Sequence, residues 1–471
     1  MTHRSSRLAI AAASSLGLGL VAFIAPAVVA AHSLDVTYSS PLPLAVYLAG
    51  AAMTVALSFA FVLVRDVRAT PVVYTDQGFL PPAPIRIGLR VLGLVAWAWI
   101  VAQGVIGGSS AAEVATLFLW VYGWVGLALV SAFVGPAWHF LDPFSTLFDI
   151  GAWAVRKAGI GAWEPAEYPS RLGRWPAVIG FAAYVWLELC LDGGGSSTLF
   201  IVLIGYTVFT LSMMAQFGRD TWRSNGETFT VWFRLLGRLA FWALVDESGR
   251  IRRRPFASGL LEPGWTRPDV TLVALGVGSI LYDGLSQTEP FYGVFGFPAV
   301  GEETLIMSAF LAIIVIAAFV VVRFVGVAAT GAGLLPIAIG YLVAHYLTYL
   351  LIDGQRIVVA FADPFQQGWD LGGFGWAFHE PSGAFLPPGL VWTLQLAAVV
   401  GGHMVGAWGG HVAAAADAPR GIDTGTLRMR QVPLAVAMVA LTTLTLWSLG
   451  QAIVVNPDEV ASLATQAASL G

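Results

Sequence analysis

The chain has little cysteine and little charge, and each shortage excludes a class of protein. Its 471 residues include one cysteine, Cys190. An internal disulfide is therefore excluded, and so are zinc-finger and iron–sulfur sites, which need several cysteines at set spacings. Charged residues make up 11% of the chain and hydrophobic residues 57%, whereas about 25% of residues in soluble domains are charged. This composition is that of a membrane protein, and nucleic-acid binding is not expected.

Compact catalytic motifs are also absent. The sequence has no H-E-x-x-H pair of the kind that binds zinc in metalloproteases, and no G-x-S-x-G nucleophile turn. The glycine-rich stretch 193–196 lies between two apolar runs instead of at a strand-to-helix junction, so it does not predict a phosphate-binding loop. Function therefore has to be argued from single residues and from their positions in the membrane.

Long apolar runs dominate what is present. A run at 1–31 begins with Arg4 and Arg7 and ends in small residues, which is typical of a secretory signal; an uncleaved first helix is the alternative. About ten further runs have the 17–25 residues that a bilayer requires. The sequence thus predicts an all-α membrane protein with a single polytopic domain, 32–471. The predicted spans are 44–65, 89–107, 114–135, 175–191, 198–216, 269–285, 303–323, 333–352, 389–411 and 433–453.

The basic residues predict an orientation for these helices. Lys and Arg collect in cytoplasmic loops because they resist translocation. When the spans are threaded with the mature N-terminus outside, all 24 Lys and Arg residues except Arg356 fall on one side. Both mature termini are then outside. The predicted cytoplasmic loops are 66–88, 136–174, 217–268, 324–332 and 412–432.

Two of these loops have the pattern of helices that lie in the membrane interface. Asp142 followed by Pro143 is typical of an N-cap with proline at the first helical position, and it predicts a helix that runs to Lys157. Residues 229–245 place Arg234 and Arg238 four apart among aromatic and leucine residues. This spacing predicts a second amphipathic helix in the headgroup region.

Ionisable residues inside spans are energetically costly, so they are functional candidates. Three helices that run outward end in an Asp-Gly pair, at Asp192, Asp283 and Asp353. Glu188 lies one turn before Asp192, and His345 lies two turns before Asp353. Carboxylates with histidine suit a divalent ion such as zinc that would activate water. We therefore expect His345, Asp283 and Asp353 as ligands, with Asp192 and Glu188 as base or supporting groups. Solvated turns and a structural histidine are the simpler interpretation.

The remaining histidines suggest other cofactors. His403 and His411 lie eight residues apart on one helix, where histidines can bind haem axially. Cleavage after Ala31 would make His32 the N-terminus, which could bind copper together with a second histidine such as His379. An ordinary mature terminus is the alternative. Glycines at 401, 402, 406, 409 and 410 predict close packing of the helix that contains His403.

Several sequence blocks together form a recognisable pattern along nearly the whole mature length. They are Pro41-Leu-Pro-Leu, 168–176, 217–222 with Gly226-Glu227, 282–286, His345-Tyr346 with Asp353-Gly-Gln355, Asp363-Pro364, 368–371, and Gly402-His403 with His411. With these blocks the chain resembles bacterial integral membrane proteins of the fenitrothion hydrolase family. The resemblance implies hydrolysis of an organophosphorus triester at the P–O aryl bond, and it supplies no set of catalytic residues.

The sequence therefore supports three functions in the bacterial cytoplasmic membrane. The first is a metal-assisted hydrolase with a polar, outward-facing cavity that a small apolar substrate reaches from the lipid bilayer. The second is a transporter whose buried acids bind a coupling ion. The third is a redox protein that binds copper or haem. A second membrane subunit is compatible with each of them.

Overall fold

The computed structural model of the chain describes residues 44–64, 74, 77–106, 113–159, 164–191, 196–378, 380–419 and 422–451. These residues are mostly helical, and the helices fall at the apolar runs of the sequence. The predicted signal segment at 1–31 and both ends of the chain lie outside the described residues. The signal peptide and the side of each terminus therefore stay predictions.

Each predicted span coincides with a helix. Among the residues that the structure describes, eight helices are long and apolar enough to cross a bilayer, and two apolar helices, at Ala45–Ala60 and Trp175–Cys190, are shorter. The chain is a multi-pass membrane protein, and its exact number of spans stays a prediction. The helices are α1 (Leu44–Val64), α2 (Ala83–Ile106), α3 (Val114–Phe133, π-helical over Leu117–Leu127), α4 (Ala137–Leu141), α5 (Pro143–Lys157), α6 (Trp175–Cys190), α7 (Ser196–Phe217), α8 (Arg219–Asn225), α9 (Thr228–Leu236), α10 (Arg267–Ser286), α11 (Glu289–Phe295), α12 (Val300–Val325), α13 (Val327–Ile352), α14 (Ile357–Ala362), α15 (Pro388–Ala416) and α16 (Thr424–Leu449).

The chain forms two compact units. The first unit comprises Met1–Arg68, Ala274–His345 and Leu386–Gly471, and the second comprises Ala69–Val273 and Tyr346–Phe385. In the first unit α1 packs against α15 and α16, and α12 packs against α16. The second unit contains α2 to α9 and the short helix α14.

Glycines allow α13 and α15 to approach closely in the first unit. A Cβ on Gly402 would lie 2.6 Å from the carbonyl oxygen of Pro336, and one on Gly406 would lie 2.3 Å from that of Gly333. Only a residue without a side chain fits such contacts, as is common between membrane helices. The predicted close packing is confirmed for Gly402 and Gly406, whereas Gly401 faces open space.

An aromatic core holds α3, α6 and α9 together in the second unit. The indole rings of Trp124 and Trp232 stack with their centroids 6.0 Å apart. Phe181 contacts Trp232 with a centroid distance of 4.7 Å. All three side chains are almost fully buried, and aromatic rings at these distances contribute stabilisation beyond their buried area. This core fixes α9 inside the protein.

The helix predicted over 229–245 is correct only up to Leu236. Trp232 and Leu236 are buried against the aromatic core, so this helix has no apolar face left for lipid. Past the helix, Arg238 donates hydrogen bonds to the carbonyls of Gly259 and Glu262 at 3.2 and 2.8 Å. Two antiparallel strands follow, β1 (Trp242–Leu244) and β2 (Ile251–Arg253), so the helical fold also contains one short hairpin.

The other predicted interfacial helix forms as expected. Asp142 Oδ1 accepts hydrogen bonds from the backbone N–H groups of Phe144 and Ser145 at 2.9 and 3.2 Å. Pro143 occupies the first helical position, where its missing N–H costs nothing. The capped helix, α5, ends at Lys157 as predicted. Its position in the membrane interface stays a prediction.

The loop predicted over 324–332 is much shorter in the structure. Only Gly326, with φ +89°, separates α12 from α13. Glycine adopts this backbone conformation without steric cost, so the chain can turn within one residue. The small residues that follow lower the local hydropathy, but they are buried and helical, which explains why the sequence placed the start of this span too late.

Candidate functional site

The structure pairs two of the predicted catalytic residues in the first unit. Nε2 of His345, on α13, lies 2.8 Å from Oδ2 of Asp283, on α10. The amide of Gln287 donates to the other oxygen, Oδ1, at 2.8 Å. Both oxygens of the carboxylate are therefore engaged. The side chains of His345 and Asp283 are 20% and 13% exposed, so the pair is partly buried.

The local course of α10 positions this pair. The predicted span ended at residue 285, and α10 ends one residue later, at Ser286, so it continues two residues past Gly284. The extra residues place Gln287 one turn beyond Asp283, within reach of its carboxylate. A Cβ on Gly284 would lie 3.6 Å from His345 Nδ1 and 3.5 Å from Ser448 Oγ. The second nitrogen of the imidazole therefore faces Gly284.

A carboxylate that is hydrogen-bonded to one nitrogen of an imidazole orients the ring and stabilises its protonated form. When Nε2 carries the proton and donates it to Asp283, Nδ1 becomes the basic nitrogen. The Asp283–His345 pair can therefore accept a proton from a bound molecule and return it later. It can also bind a cation.

The pair alone is not a complete catalytic zinc site. Such a site usually uses three protein ligands and one water, and Asp283 and His345 supply two donors. Within the described ranges no three His, Cys, Asp or Glu residues come together in a way that could hold a metal. Two of the predicted ligands, His32 and His379, lie outside the described residues, as does Asp192. Metal assistance stays a prediction. Asp283 and His345 are two of its predicted ligands that lie among the described residues.

Asp353 and Glu188 belong to the second unit. Asp353 follows α13 and begins a 3-10 turn that ends at Arg356. Nε of Arg356 lies 3.3 Å from Oδ1 of Asp353. This ion pair offsets the charge of Arg356, the one arginine that is predicted to lie on the outer side of the membrane. Glu188 lies near the end of α6 and is half-buried. The catalytic roles of both residues stay predictions.

The two predicted haem ligands are buried in α15. Nδ1 of His403 lies 2.7 Å from the carbonyl oxygen of Val399, one turn earlier, and its ring lies 5.7 Å from that of Tyr341. Nδ1 of His411 lies 2.8 Å from Oε1 of Gln431. Each Nδ1 thus has a protein partner, which leaves Nε2 as the nitrogen for an axial ligand. The haem interpretation stays a prediction.

Sequence reasoning missed a polar cavity in the second unit. The cavity has a volume of about 200 Å³. Its signal in the sequence is a pair of arginines four residues apart on each of two helices, a spacing that places both side chains on one helix face. The positive-inside rule explained these residues as topology markers, so no site was expected. The arginines are Arg86, Arg90, Arg219 and Arg223, and His139, Phe140, Asp142, Ser145, Thr146, Glu247 and Ser248 complete the lining.

Carboxylates hold most of the arginines in this cavity. Nε of Arg223 lies 3.1 Å from Oδ2 of Asp142, and both side chains are almost fully buried. Nη1 of Arg223 lies 3.3 Å from Oε2 of Glu247. Asp149 bridges the other two, with an ion pair to Arg90 and another to Arg219, the latter at 2.7 Å. The guanidinium groups of Arg90, Arg219 and Arg223 therefore each have a carboxylate partner before any ligand binds.

The pKa values of two titratable groups beside the cavity reflect burial and the charges around them. Burial, and after it the charges of nearby arginines, Arg223 first among them, together lower the pKa of His139 from 6.5 to about 3. Burial raises the pKa of Glu227, and the neighbouring carboxylate of Asp142 raises it further. The depressed histidine pKa shows that a positive charge is disfavoured at His139, as expected beside a cluster of arginines.

Comparisons with protein-family models, with curated proteins and with solved structures found no match to this chain. The fold and composition define the class of protein, a multi-pass helical membrane protein. Any more specific function has to be argued from the Asp283–His345 pair and from the arginine-lined cavity.

Proposed function

We propose that the chain is a membrane-embedded hydrolase of organophosphorus triesters, with Asp283 and His345 as its catalytic pair. The observation that supports this most is the 2.8 Å contact between His345 Nε2 and Asp283 Oδ2. A histidine oriented by a carboxylate is a common means of removing a proton from a nucleophile. The resemblance of the sequence to the fenitrothion hydrolase family supports the choice of substrate class.

In the proposed reaction, His345 donates Nε2–H to Asp283 and takes a proton from a water molecule at Nδ1. As this proton leaves, the water oxygen forms a bond to phosphorus and the P–O bond to the aryl group breaks. The aryl oxygen departs with the bonding electrons as a phenolate, and His345 then releases its proton to solvent. Asp283 stabilises the imidazolium, while Gln287 holds the carboxylate in place.

The partly buried position of the pair suits this role. The two side chains are partly exposed, yet most of their surroundings are protein. A lower local dielectric strengthens both the hydrogen bond between Asp283 and His345 and the attraction that arises once the imidazole is protonated. An aryl phosphotriester has no net charge, so it can approach such a site from the bilayer.

A transporter is the second function that this pair can serve, since buried acids and histidines also form proton relays. Many transporters bind their coupling ion where a membrane helix is interrupted. α10 is continuous from Arg267 through Gly276 and Gly278 to Ser286, so Asp283 does not lie at such an interruption. Hydrolysis is therefore the better-supported function of the two.

The test uses the full-length chain in detergent and an aryl phosphotriester whose nitrophenolate product absorbs visible light. Asp283→Asn and His345→Gln should each lower kcat by at least about 100-fold, the usual contribution of a general base. Glu289→Gln is the matched control, because Glu289 is an exposed acid six residues from Asp283. Full turnover by Asp283→Asn would refute the assignment. A wild-type chain that shows no turnover but conducts protons in proteoliposomes would be a transporter.

Elemental analysis of the same preparation addresses the cofactor. Stoichiometric zinc, together with turnover that a chelator abolishes and zinc restores, would add a metal to the Asp283–His345 pair. Bound copper or a haem absorption band would instead favour the redox function. Turnover that a chelator leaves unchanged in a metal-free sample would identify the pair as the complete base.

A further inference from the structure

We infer that the second unit contains a binding site for a phosphate group in the cavity lined by Arg86, Arg90, Arg219 and Arg223. The group belongs either to a lipid headgroup or to a soluble phosphate, which share the same recognition chemistry. This inference does not depend on the proposed hydrolase, because Asp283 and His345 belong to the first unit.

The size of the cavity fits a phosphate group. Its volume is about 200 Å³, while a water molecule in the liquid takes up about 30 Å³. The cavity therefore has room for a phosphate and for the first atoms of the group that is attached to it. Hydroxyl groups of Ser145, Thr146 and Ser248 also line the wall. Each already donates its hydrogen within the protein, to Asp142 or Asp246, so the arginines are the donors for a ligand.

The excess positive charge of the cavity lies at Arg86. Four arginines and two carboxylates, Asp142 and Glu247, line the cavity, and Asp149 and Asp220 form ion pairs with Arg90 and Arg219 beside it. Arg86 is the arginine whose charge is least compensated: its Nε donates to the carbonyl of Pro81 at 3.0 Å, and it has no ion pair among the described residues. Guanidinium groups bind phosphate oxygens in a planar, two-pronged geometry that suits this excess of donors.

The ion pairs around the cavity organise it in advance. Asp149 fixes Arg90 and Arg219, while Asp142 and Glu247 fix Arg223. Ordering long side chains is a large part of what a binding event costs, so groups already held in place bind more tightly. Three arginines are therefore positioned by the fold, and Arg86 supplies the charge that the carboxylates leave over.

Two sources of phosphate fit the position of the cavity. Arg86 and Arg90 lie one turn apart near the start of α2. Residues beside them, Ile87 and Val91, are exposed, so α2 presents an apolar surface next to the two arginines. The acyl chains of a phospholipid could lie along that surface, while a soluble phosphate needs only the arginines.

The experiment compares two ligands on the detergent-purified full chain at constant ionic strength. One arm titrates inorganic phosphate, and the other adds phosphatidylglycerol with dioleoylglycerol as the phosphate-free control. The readout is the apparent melting temperature as a function of ligand concentration, because a ligand that binds the folded chain raises it. Arg86→Gln is the test variant. Arg156→Gln, at an exposed position on α5 in the same unit, removes the same charge away from the cavity.

We expect Arg86→Gln to weaken the apparent affinity about tenfold or more, as the loss of a charged hydrogen-bond donor does, and Arg156→Gln to leave it unchanged. A shift with both ligands or with inorganic phosphate alone identifies the soluble source. A shift with phosphatidylglycerol alone identifies the lipid source. Equal affinities for the two variants, or no shift with either ligand in the wild-type chain, would overturn the inference.

Discussion

An ion pair between Arg174 and Asp269 joins two distant segments of the second unit, and it leads to an asymmetric prediction. Nη1 of Arg174 lies 2.8 Å from both carboxylate oxygens of Asp269. The side chain of Asp269 is 0% exposed, whereas that of Arg174 is 32% exposed. Asp269 Oδ2 also accepts hydrogen bonds from the backbone N–H and the hydroxyl of Thr266, both at 2.8 Å.

Removing each partner leaves a different group behind. Asp269→Asn leaves a guanidinium that can turn toward water, so the cost is the lost hydrogen bonds to a charged group, about 1.5–3 kcal/mol. Arg174→Gln leaves a fully buried carboxylate that keeps its hydrogen bonds from Thr266 and the weaker attraction of the Arg238 charge. Breaking a buried pair in this way costs about 3–5 kcal/mol, because the remaining charge has lost its directly paired partner. We expect Arg174→Gln to destabilise the chain by roughly 1–3 kcal/mol more than Asp269→Asn.

The assay is unfolding of the full-length chain in detergent, followed by tryptophan fluorescence against denaturant concentration. Arg171→Gln is the matched control, since Arg171 is exposed three residues before Arg174. The double variant should be less destabilised than the sum of the two single variants, as residues in direct contact are not additive. Equal losses from the two single variants, or an additive double variant, would refute the argument from burial.

Two further predictions test the packing of the first unit and the electrostatics of the second. Gly406→Ala should lower the melting temperature because its Cβ would lie 2.3 Å from the carbonyl oxygen of Gly333, whereas Gly401→Ala should leave it unchanged or raise it, since Gly401 faces open space. Burial and nearby arginines lower the pKa of His139 to about 3 in the folded chain. The stability that depends on the neutral ring is complete above pH 6.5. It is lost as the pH falls toward 3, because the unfolded chain binds the proton first. His139→Gln should therefore reduce the loss of unfolding free energy between pH 7 and pH 5 by up to about 1.4 kcal/mol per pH unit, measured by denaturant unfolding at each pH; an unchanged loss would contradict the lowered pKa of His139.

The positions of the helices follow from local sequence, and for that reason they could be predicted. A membrane helix has to satisfy its backbone hydrogen bonds within itself, so a sufficiently long apolar run determines its own structure. The cap at Asp142 is local in the same sense. The glycines at 402 and 406 could be recognised from sequence by residue type, whereas their partners on α13 are distant in sequence. The interfacial helix predicted over 229–245, which is wrong past Leu236, depends instead on distant residues. The aromatic core that buries α9 comes from α3 and α6, which lie far away in the sequence.

The candidate sites were less predictable because they depend on which helices become neighbours. Asp283 and His345 were both candidates, but their pairing joins residues 62 positions apart. Asp353 was grouped with them from sequence, and its role stays a prediction; its ion pair with Arg356 lies within one turn. Residue type and membrane depth thus identify candidates, and only tertiary structure decides which of them meet.

The arginines of the second unit show where an explanation from topology alone is incomplete. The positive-inside rule requires basic residues on one side of the membrane, and exposed side chains in loops satisfy it fully. It does not require burial. Arg223 is nevertheless almost fully buried and contacts two carboxylates, although removing an ion from water costs several kcal/mol. Membrane orientation alone therefore does not account for that arrangement. The buried ion pairs instead fit a cavity whose arginines must keep a fixed geometry, as the binding of a phosphate group requires.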